Sequence, residues 1–242
     1  MTDKPYSNVY VQVATPAGDD RFGRDYVTSI MNTKTTLEHF GAQFHWAVYP
    51  NCSDLCHARN KILGEFVRGE KYTHLLKIDS DMGWEASDVM RMLSFDKDFI
   101  AGVGCKKKLP LEWCASNRSD TDGVMQPVHM FYEGDTLLAN VNYVGAGFVM
   151  ITRACAVKML EAYDNLSYTD CYDQQRECGL YDPVIIVNGD YRERYFDDFA
   201  FCYRWRQIGG KVTIVPDIHL KHNGNHTFEG KWEESFTYGE KS

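Results

Sequence analysis

The segment Leu75-Leu76-Lys77-Ile78-Asp79-Ser80-Asp81-Met82 sets two carboxylates two residues apart at the end of a short apolar run. A run of that length reads as a buried strand. The carboxyl ends of strands are where open α/β sheets bind ligands. Carboxylates at i and i+2 point the same way while a strand continues. Paired oxygen donors suit a hard divalent cation such as Mg²⁺ or Mn²⁺, and the same residues also suit an ordinary polar turn. His219, His222 and His226 have no fitting cysteine or carboxylate set beside them, so one imidazole acting as a single ligand is a better reading than a zinc site. Asp197 and Asp198 open an aromatic-rich segment. Acids there can favour a helix N-terminus, or one of them can serve as a general base.

Three further groups carry weaker signals. Arg59, in Cys56-His57-Ala58-Arg59-Asn60, suits bidentate phosphate binding and equally an ordinary helix. The small residues of Val144-Gly145-Ala146-Gly147-Phe148 admit a ligand close to the backbone, or mark a bulge. Lys106-Lys107-Lys108 can meet a diphosphate or an acceptor, or form a solvated surface.

The elements that hold these groups follow from pattern. Residues 8–14 alternate as a strand and run into a turn at Thr15-Pro16-Ala17-Gly18. A helix is expected over 24–40, a strand over 44–49, and a helix to about residue 67 capped by Ser53 or Asp54. Strands at 73–78 and 98–103 flank a short helix at 85–93. This alternation implies a parallel α/β sheet over the first ~105 residues. The second half breaks it. A polar connection spans 105–127, strands are expected at 128–132, 137–144 and 148–152, and a helix at 154–163. A long loop covers 164–182. A helix over 195–208 ends at Gly209-Gly210. Strands at 212–215 and 218–222 precede a polar, aromatic tail that reads as a flap. With neither a repeat nor a linker, the chain reads as a single domain, 1–242.

Composition narrows the class. The 242 residues are 44% hydrophobic and 25% charged, which is ordinary globular composition. The net charge of −8 disfavours general attraction to nucleic acid or anionic membrane. No apolar run reaches the roughly 18 residues of a membrane span, and the start lacks the apolar core of a signal peptide. The eight cysteines form no Cys-x-x-Cys pair and read as reduced thiols in a cytoplasmic setting. In that setting the sequons at Asn51, Asn117, Asn165 and Asn225 carry no meaning.

The joint order of these motifs resembles the GT-A-fold glycosyltransferases, in particular compact family 2-like and virus-encoded members. Ala58-Arg59-Asn60 followed by Ile78-Asp79-Ser80-Asp81 resembles that family's Arg-Asn helix and DxD strand. Gly102 to Lys107 is similar to its stretch after the next strand, and Gly145 to Arg153 to its small-residue turn and following strand. Asp197 to Cys202, with Trp205, Gly209 and Gly210, resembles its acidic helix, and Leu220 to Gly224 its closing His motif. The resemblance spans about residues 8–230. It departs at Asp197, where the family has Glu, at Ala146, and at Gly104-Cys105, where Tyr-Pro is usual.

The resemblance implies a GT-A (Rossmann-like) α/β domain with a central mixed, mostly parallel sheet flanked by helices. The nucleotide would fall to about 1–105 and acceptor and catalysis to about 106–242. It implies metal-dependent transfer of a sugar from a nucleotide diphosphate donor, UDP by default, with Mn²⁺ or Mg²⁺ held by Asp79, Asp81 and His222. Thr15, Pro16, Arg59, Asp79 and Ser80 would contact the nucleotide. Gly145, Ala146, Gly147, Lys107 and Trp84 would contact donor or acceptor sugar. Asp198, with Asp197, would be catalytic, as a base if the enzyme inverts configuration and as an orienting group if it retains it. The acceptor would be a glycan, a glycoprotein or modified DNA, in a host cytoplasm if the protein is viral. A sugar nucleotidyltransferase and a silent nucleotide- or carbohydrate-binding protein remain the alternatives.

Overall fold

A computed structural model describes residues 4–18, 21–50 and 52–236. Asp19, Asp20, the Asn51 sequon position and residues 237–242 of the expected tail lie outside the described residues. In chain order the strands and helices are β1 (Tyr10–Ala17), α1 (Arg24–His39), β2 (Gln43–Pro50), α2 (Leu55–Arg68), β3 (His74–Ile78), β4 (Met82–Gly83), α3 (Ala86–Ser94), β5 (Phe99–Ala101), β6 (Ala115–Ser116), β7 (His129–Glu133), β8 (Thr136–Val141), β9 (Tyr143–Val144) and β10 (Phe148–Thr152). They continue with α4 (Arg153–Ala162), β11 (Ser167–Thr169), β12 (Arg176–Cys178), β13 (Val184–Asn188), β14 (Tyr191–Tyr195), α5 (Asp197–Gln207), β15 (Val212–Ile214), β16 (His219–Asn223) and β17 (Thr227–Lys231).

The main sheet has eight strands in the order β2-β1-β3-β10-β5-β15-β8-β7. β1 lies parallel to both β2 and β3. The parallel run then breaks, because β10 enters antiparallel between β3 and β5. β15 is parallel to β5, and β8 reverses again. Only β10 and β8 run against the rest, so the sheet is mixed with one prevailing direction. It is flanked by helices as the sequence predicts. Ile62, Leu63 and Phe66 of α2, Met159 of α4 and Phe201 and Trp205 of α5 pack one face. Tyr26, Ile30 and Leu37 of α1 and Val89 and Met92 of α3 pack the other.

β3 lies at the middle of this arrangement, with Leu75, Leu76, Lys77 and Ile78 all buried. Its carboxyl end leads into a turn in which the Met82 N–H donates to the Asp79 carbonyl at 3.1 Å. The strand therefore stops at Ile78, and the expectation that Asp79 and Asp81 share a direction fails. β4 then pairs antiparallel with β16, with His222 opposite Met82. That pairing brings the C-terminal histidine strand to the acidic turn across some 140 residues of sequence.

Three other expectations are corrected. The turn at Thr15-Pro16-Ala17 is strand, paired with Val48, Tyr49 and Pro50 of β2. β3 accompanies β1 only as far as Ala14, so Pro16 stands where one sheet neighbour remains and a residue without an N–H is tolerated. The 164–182 segment carries a two-stranded β11-β12 ribbon rather than a structureless loop. Residues 184–195 form a β13-β14 hairpin that the sequence reading does not contain, and Tyr195 ends that hairpin instead of opening α5. Within the described part of the tail, the chain forms β17 and a 3-10 turn over Trp232–Phe236.

Candidate active site

α2 is capped by Asp54, whose carboxylate accepts from the Cys56 and His57 N–H groups. The cap fixes the first turn and sends Arg59 and Asn60 inward, where both are buried. The Arg59 Nη1 donates to carboxylates of both Asp197 and Asp198. Its Nη2 donates to Asp79 Oδ1 at 3.1 Å. One guanidinium thus gathers three acids from two distant segments. Burial opposes the charge on Arg59, but Asp198, Asp79 and Asp197 outweigh it and hold its pKa well above the usual value. Asn60 secures the opposite wall: its amide donates to Asp182 at 2.8 Å and its oxygen accepts the Tyr181 N–H at 2.9 Å.

The two acids of α5 are held differently. Asp198 Oδ1 accepts from Arg59, and Oδ2 accepts from the Ala146 N–H at 2.8 Å. Burial pushes its carboxyl up to about 6; Arg59 pulls it down, and Asp197 and Asp79 add to the rise. Asp197 is the first residue of α5 and has φ of 44°, a left-handed conformation that is unfavourable for a residue with a Cβ. Its Oδ1 is buried without a hydrogen-bond partner among the described residues. Strained backbone and an orphaned oxygen beside a shared guanidinium are more than a plain helix cap requires.

The small-residue turn serves these acids. A Cβ on Gly145 would lie 3.0 Å from the Cys114 Cβ and 3.6 Å from Asp198 Oδ2. One on Gly147 would lie 3.4 Å from Asp79 Oδ2. Ala146 is buried. The tight approach is at Gly145, to Cys114; the Asp198 and Asp79 carboxylates lie at ordinary contact distance from the two glycines.

Asp81 lies on the other side of the turn, in a separate cluster. Its Oδ1 is 3.5 Å from His222 Nε2, and its Oδ2 accepts from the Lys107 ammonium. His222 Nδ1 lies 2.7 Å from the Cys105 carbonyl, and that contact leaves Nε2 facing the carboxylate. Burial works against charge on Asp81, but the hydrogen bonds from His222 and Lys107 prevail and lower its pKa. Burial likewise opposes the His222 cation, and Asp81 with the Cys105 carbonyl raises its pKa.

Among the described residues, no three carboxylate, thiol or imidazole groups are placed to hold one metal ion. The fit to a divalent ion rests on Asp81 and His222: a carboxylate oxygen and an imidazole nitrogen face each other, with an ammonium already seated on the carboxylate as a cationic stand-in. Asp79 does not join them, because Arg59 holds it.

The protein has no match among protein-family models or curated protein sequences. Among solved structures, A197 from STIV superposes with a TM-score of 0.53 at 12% identity, covering 93% of this chain and 91% of that one. That likeness shows a shared fold. A Bacillus anthracis protein assigned as a glucose-1-phosphate thymidylyltransferase, in complex with a sucrose, gives 0.34 at 10% identity over 63% of this chain and 74% of that one. A glycosyltransferase involved in the glycosylation of the major capsid of PBCV-1 gives 0.34 at 8% identity over 67% and 71%. Scores at that level carry no argument about this chain.

Several sequence-derived assignments change on this geometry. Thr15 is fully buried and its hydroxyl is 2.5 Å from that of Tyr26, so it does not face a nucleotide. Pro16 continues β1 as strand. Trp84 is core: its indole N–H donates to Thr33 at 2.9 Å and its ring packs on Phe148 and Tyr26, so it is not free to stack on a sugar. Ser80 offers its carbonyl to the Gly23 N–H at 2.9 Å. Lys107 meets Asp81, not an open sugar site. Arg59 is saturated by carboxylates, so a phosphate would have to displace one of them.

Two features escape the sequence reading. Lys77 is fully enclosed beneath the acids, donates to the Tyr181 hydroxyl and lies 4.4 Å from the centre of that ring. Burial lowers its pKa to about 8, Arg59 adds to the fall, and Asp198 and Asp197 oppose it. A lysine inside the apolar run of β3 was the available signal. The second feature is a groove of about 800 Å³ between the end of β2 and α2, lined by Tyr49, Pro50, Asp54, His57, Lys61 and Tyr172. Ala58, the residue before Arg59, is part of its lining.

Proposed function

We propose that this chain is a metal-dependent glycosyltransferase that moves a sugar from a nucleotide diphosphate donor, a UDP-sugar in the first instance, to a hydroxyl acceptor on a glycan. The observation that carries the reading is the pair of charged clusters flanking the turn at the carboxyl end of β3, with Asp79, Asp197 and Asp198 on Arg59 and Asp81 between His222 and Lys107, drawn from well-separated segments. The groove beside α2 has the size of a nucleotide pocket, and we assign the nucleoside to it in place of Thr15 and Pro16.

Asp81 and His222 Nε2 would hold the divalent ion, which supplies positive charge to the leaving diphosphate. Arg59 holds the carboxylates of Asp79, Asp197 and Asp198 together on one guanidinium. Asp198 receives the proton of the acceptor hydroxyl on the free lone pair of a carboxylate oxygen. The acceptor oxygen forms the bond to the anomeric carbon as the bond to the diphosphate oxygen breaks, and that electron pair leaves with the diphosphate. A base with a pKa raised to about 6 is well placed to accept a proton near neutrality, a contribution of about 10²- to 10⁴-fold.

A donor screen tests the assignment: UDP-, GDP- and dTDP-sugars with Mn²⁺, Mg²⁺ or EDTA, with and without a panel of glycan acceptors. The expected result is metal-dependent release of a nucleoside diphosphate from one donor. Release of pyrophosphate would replace the reading with a nucleotidyltransferase. Binding with no turnover under any condition would leave a binding protein.

A further inference from the structure

We propose that Lys107 is a resident cation on Asp81 which a divalent ion must displace, so that the turn carrying it works as a cation-exchange latch on the donor site. The inference rests on the reading of Asp81 and His222 as metal ligands.

The latch is visible in how the turn is built. The Lys106 N–H donates to the Glu112 carbonyl at 2.6 Å, the Lys108 N–H to the Lys106 carbonyl at 2.8 Å, and the Cys114 N–H to the Gly104 carbonyl at 2.8 Å. The side chains of Lys106 and Lys108 both pair with Glu112 on the outer side. Lys107, between them, points the other way and reaches Asp81. The lysine run is therefore not a uniform solvated patch: two members share one glutamate and the third is aimed at Asp81. Gly224 makes room for it, since a Cβ there would lie 3.3 Å from the Lys107 Cδ.

The same turn also orients the histidine, through the Cys105 carbonyl at His222 Nδ1. One short segment thus fixes the nitrogen ligand and supplies the cation that occupies the carboxylate. Asp81 offers Oδ1 toward His222 and Oδ2 toward Lys107. A divalent ion between Asp81 and His222 would stand against the ammonium, and like charges on one carboxylate repel. Lys107 is 38% exposed and Asp81 34%, so this ion pair can open without unpacking the core. The freed ammonium stays on the rim, where a diphosphate would draw it away from Asp81. Ion loading and turn position are coupled because both compete for one carboxylate.

The test is Mn²⁺ binding, read from the electron paramagnetic resonance of free Mn²⁺ without nucleotide, on the wild type, Lys107→Met, Lys107→Arg and Asp81→Asn. Hydrogen exchange over residues 105–112 is followed in parallel. Lys107→Met should bind Mn²⁺ roughly two- to fivefold more tightly than wild type, the size expected when a part-exposed ion pair no longer has to be broken. Lys107→Arg should not tighten binding, and Asp81→Asn should not bind. Mn²⁺ should speed amide exchange in this turn in the wild type and leave Lys107→Met unchanged. Equal affinities for wild type and Lys107→Met, with Asp81→Asn null, would overturn the latch and leave the metal reading standing. Absence of binding in every variant would remove both.

Discussion

Asp79 and Asp81 are separated by one residue and belong to opposite electrostatic settings. Asp79 faces inward, onto an arginine side chain only 3% exposed that two further acids also share. Asp81 faces the rim, onto a histidine and a lysine that are 22% and 38% exposed. A guanidinium committed to three carboxylates in a desolvated place cannot readily be exchanged. A lysine ammonium on a part-exposed acid can. On the proposed function, one half of the motif builds a fixed scaffold for the general base, and the other keeps a carboxylate available to a mobile cation. The cause is local: the strand stops at Ile78, the chain turns between Asp79 and Met82, and the two side chains part.

The contrast is broken most severely at Arg59. Arg59→Met leaves Asp79, Asp197 and Asp198 without their shared cation, and removing one partner of a buried ion pair costs about 3–5 kcal/mol. A fall in Tm on the order of 10 °C is expected for a chain of this size, together with loss of turnover; scanning calorimetry reads the first. An unchanged Tm would mean that the hub is not structural.

Asp198→Asn should separate chemistry from folding. Turnover should fall about 10²- to 10⁴-fold while nucleotide binding, read by calorimetry, is retained. The folded pKa of Asp198 lies above its unfolded value of 3.8, at about 6. Protonation therefore favours the folded state: that stability is present below 3.8 and is lost as pH rises through about 6. The Tm of Asp198→Asn should accordingly exceed that of wild type above pH 6, and the difference should shrink below pH 4. Loss of donor binding instead would move Asp198 out of the base role.

A smaller effect sharpens the same comparison. In the wild type, kcat/KM should decline about tenfold per pH unit below about pH 6, following protonation of the base. Asp198→Asn should lack that limb. A limb that persists in the variant would belong to another group.

Much of this was legible in the sequence. The strand–helix alternation of the first half yields β1, α1, β2, α2 and β3 near their observed bounds, because apolar period and capping residues such as Asp54 act locally. The acidic turn and His222 were legible as separate signals. Their meeting depends on β16 pairing with β4, a contact of long sequence separation that no local pattern encodes. The entry of β10 between β3 and β5 was hidden for the same reason. The β13-β14 hairpin has no clear sequence signal because its exposed face carries Ile185 and Val187 opposite Arg194 and Arg192, which blurs the alternation that marks a half-buried strand. Thr15 and Trp84 were misplaced because a polar or aromatic residue beside a motif looks available, and only packing reveals that Tyr26 and Thr33 already hold them. The saturation of Arg59 was likewise invisible until three acids were seen around it.

The two carboxylates of this turn do not act as a pair, and the Mn²⁺ affinities of Asp79→Asn and Asp81→Asn, measured side by side on folded protein at one pH, decide the point. Asp81→Asn should lose Mn²⁺ and Asp79→Asn should keep it. Loss of Mn²⁺ in both variants, or in Asp79→Asn alone, would contradict this.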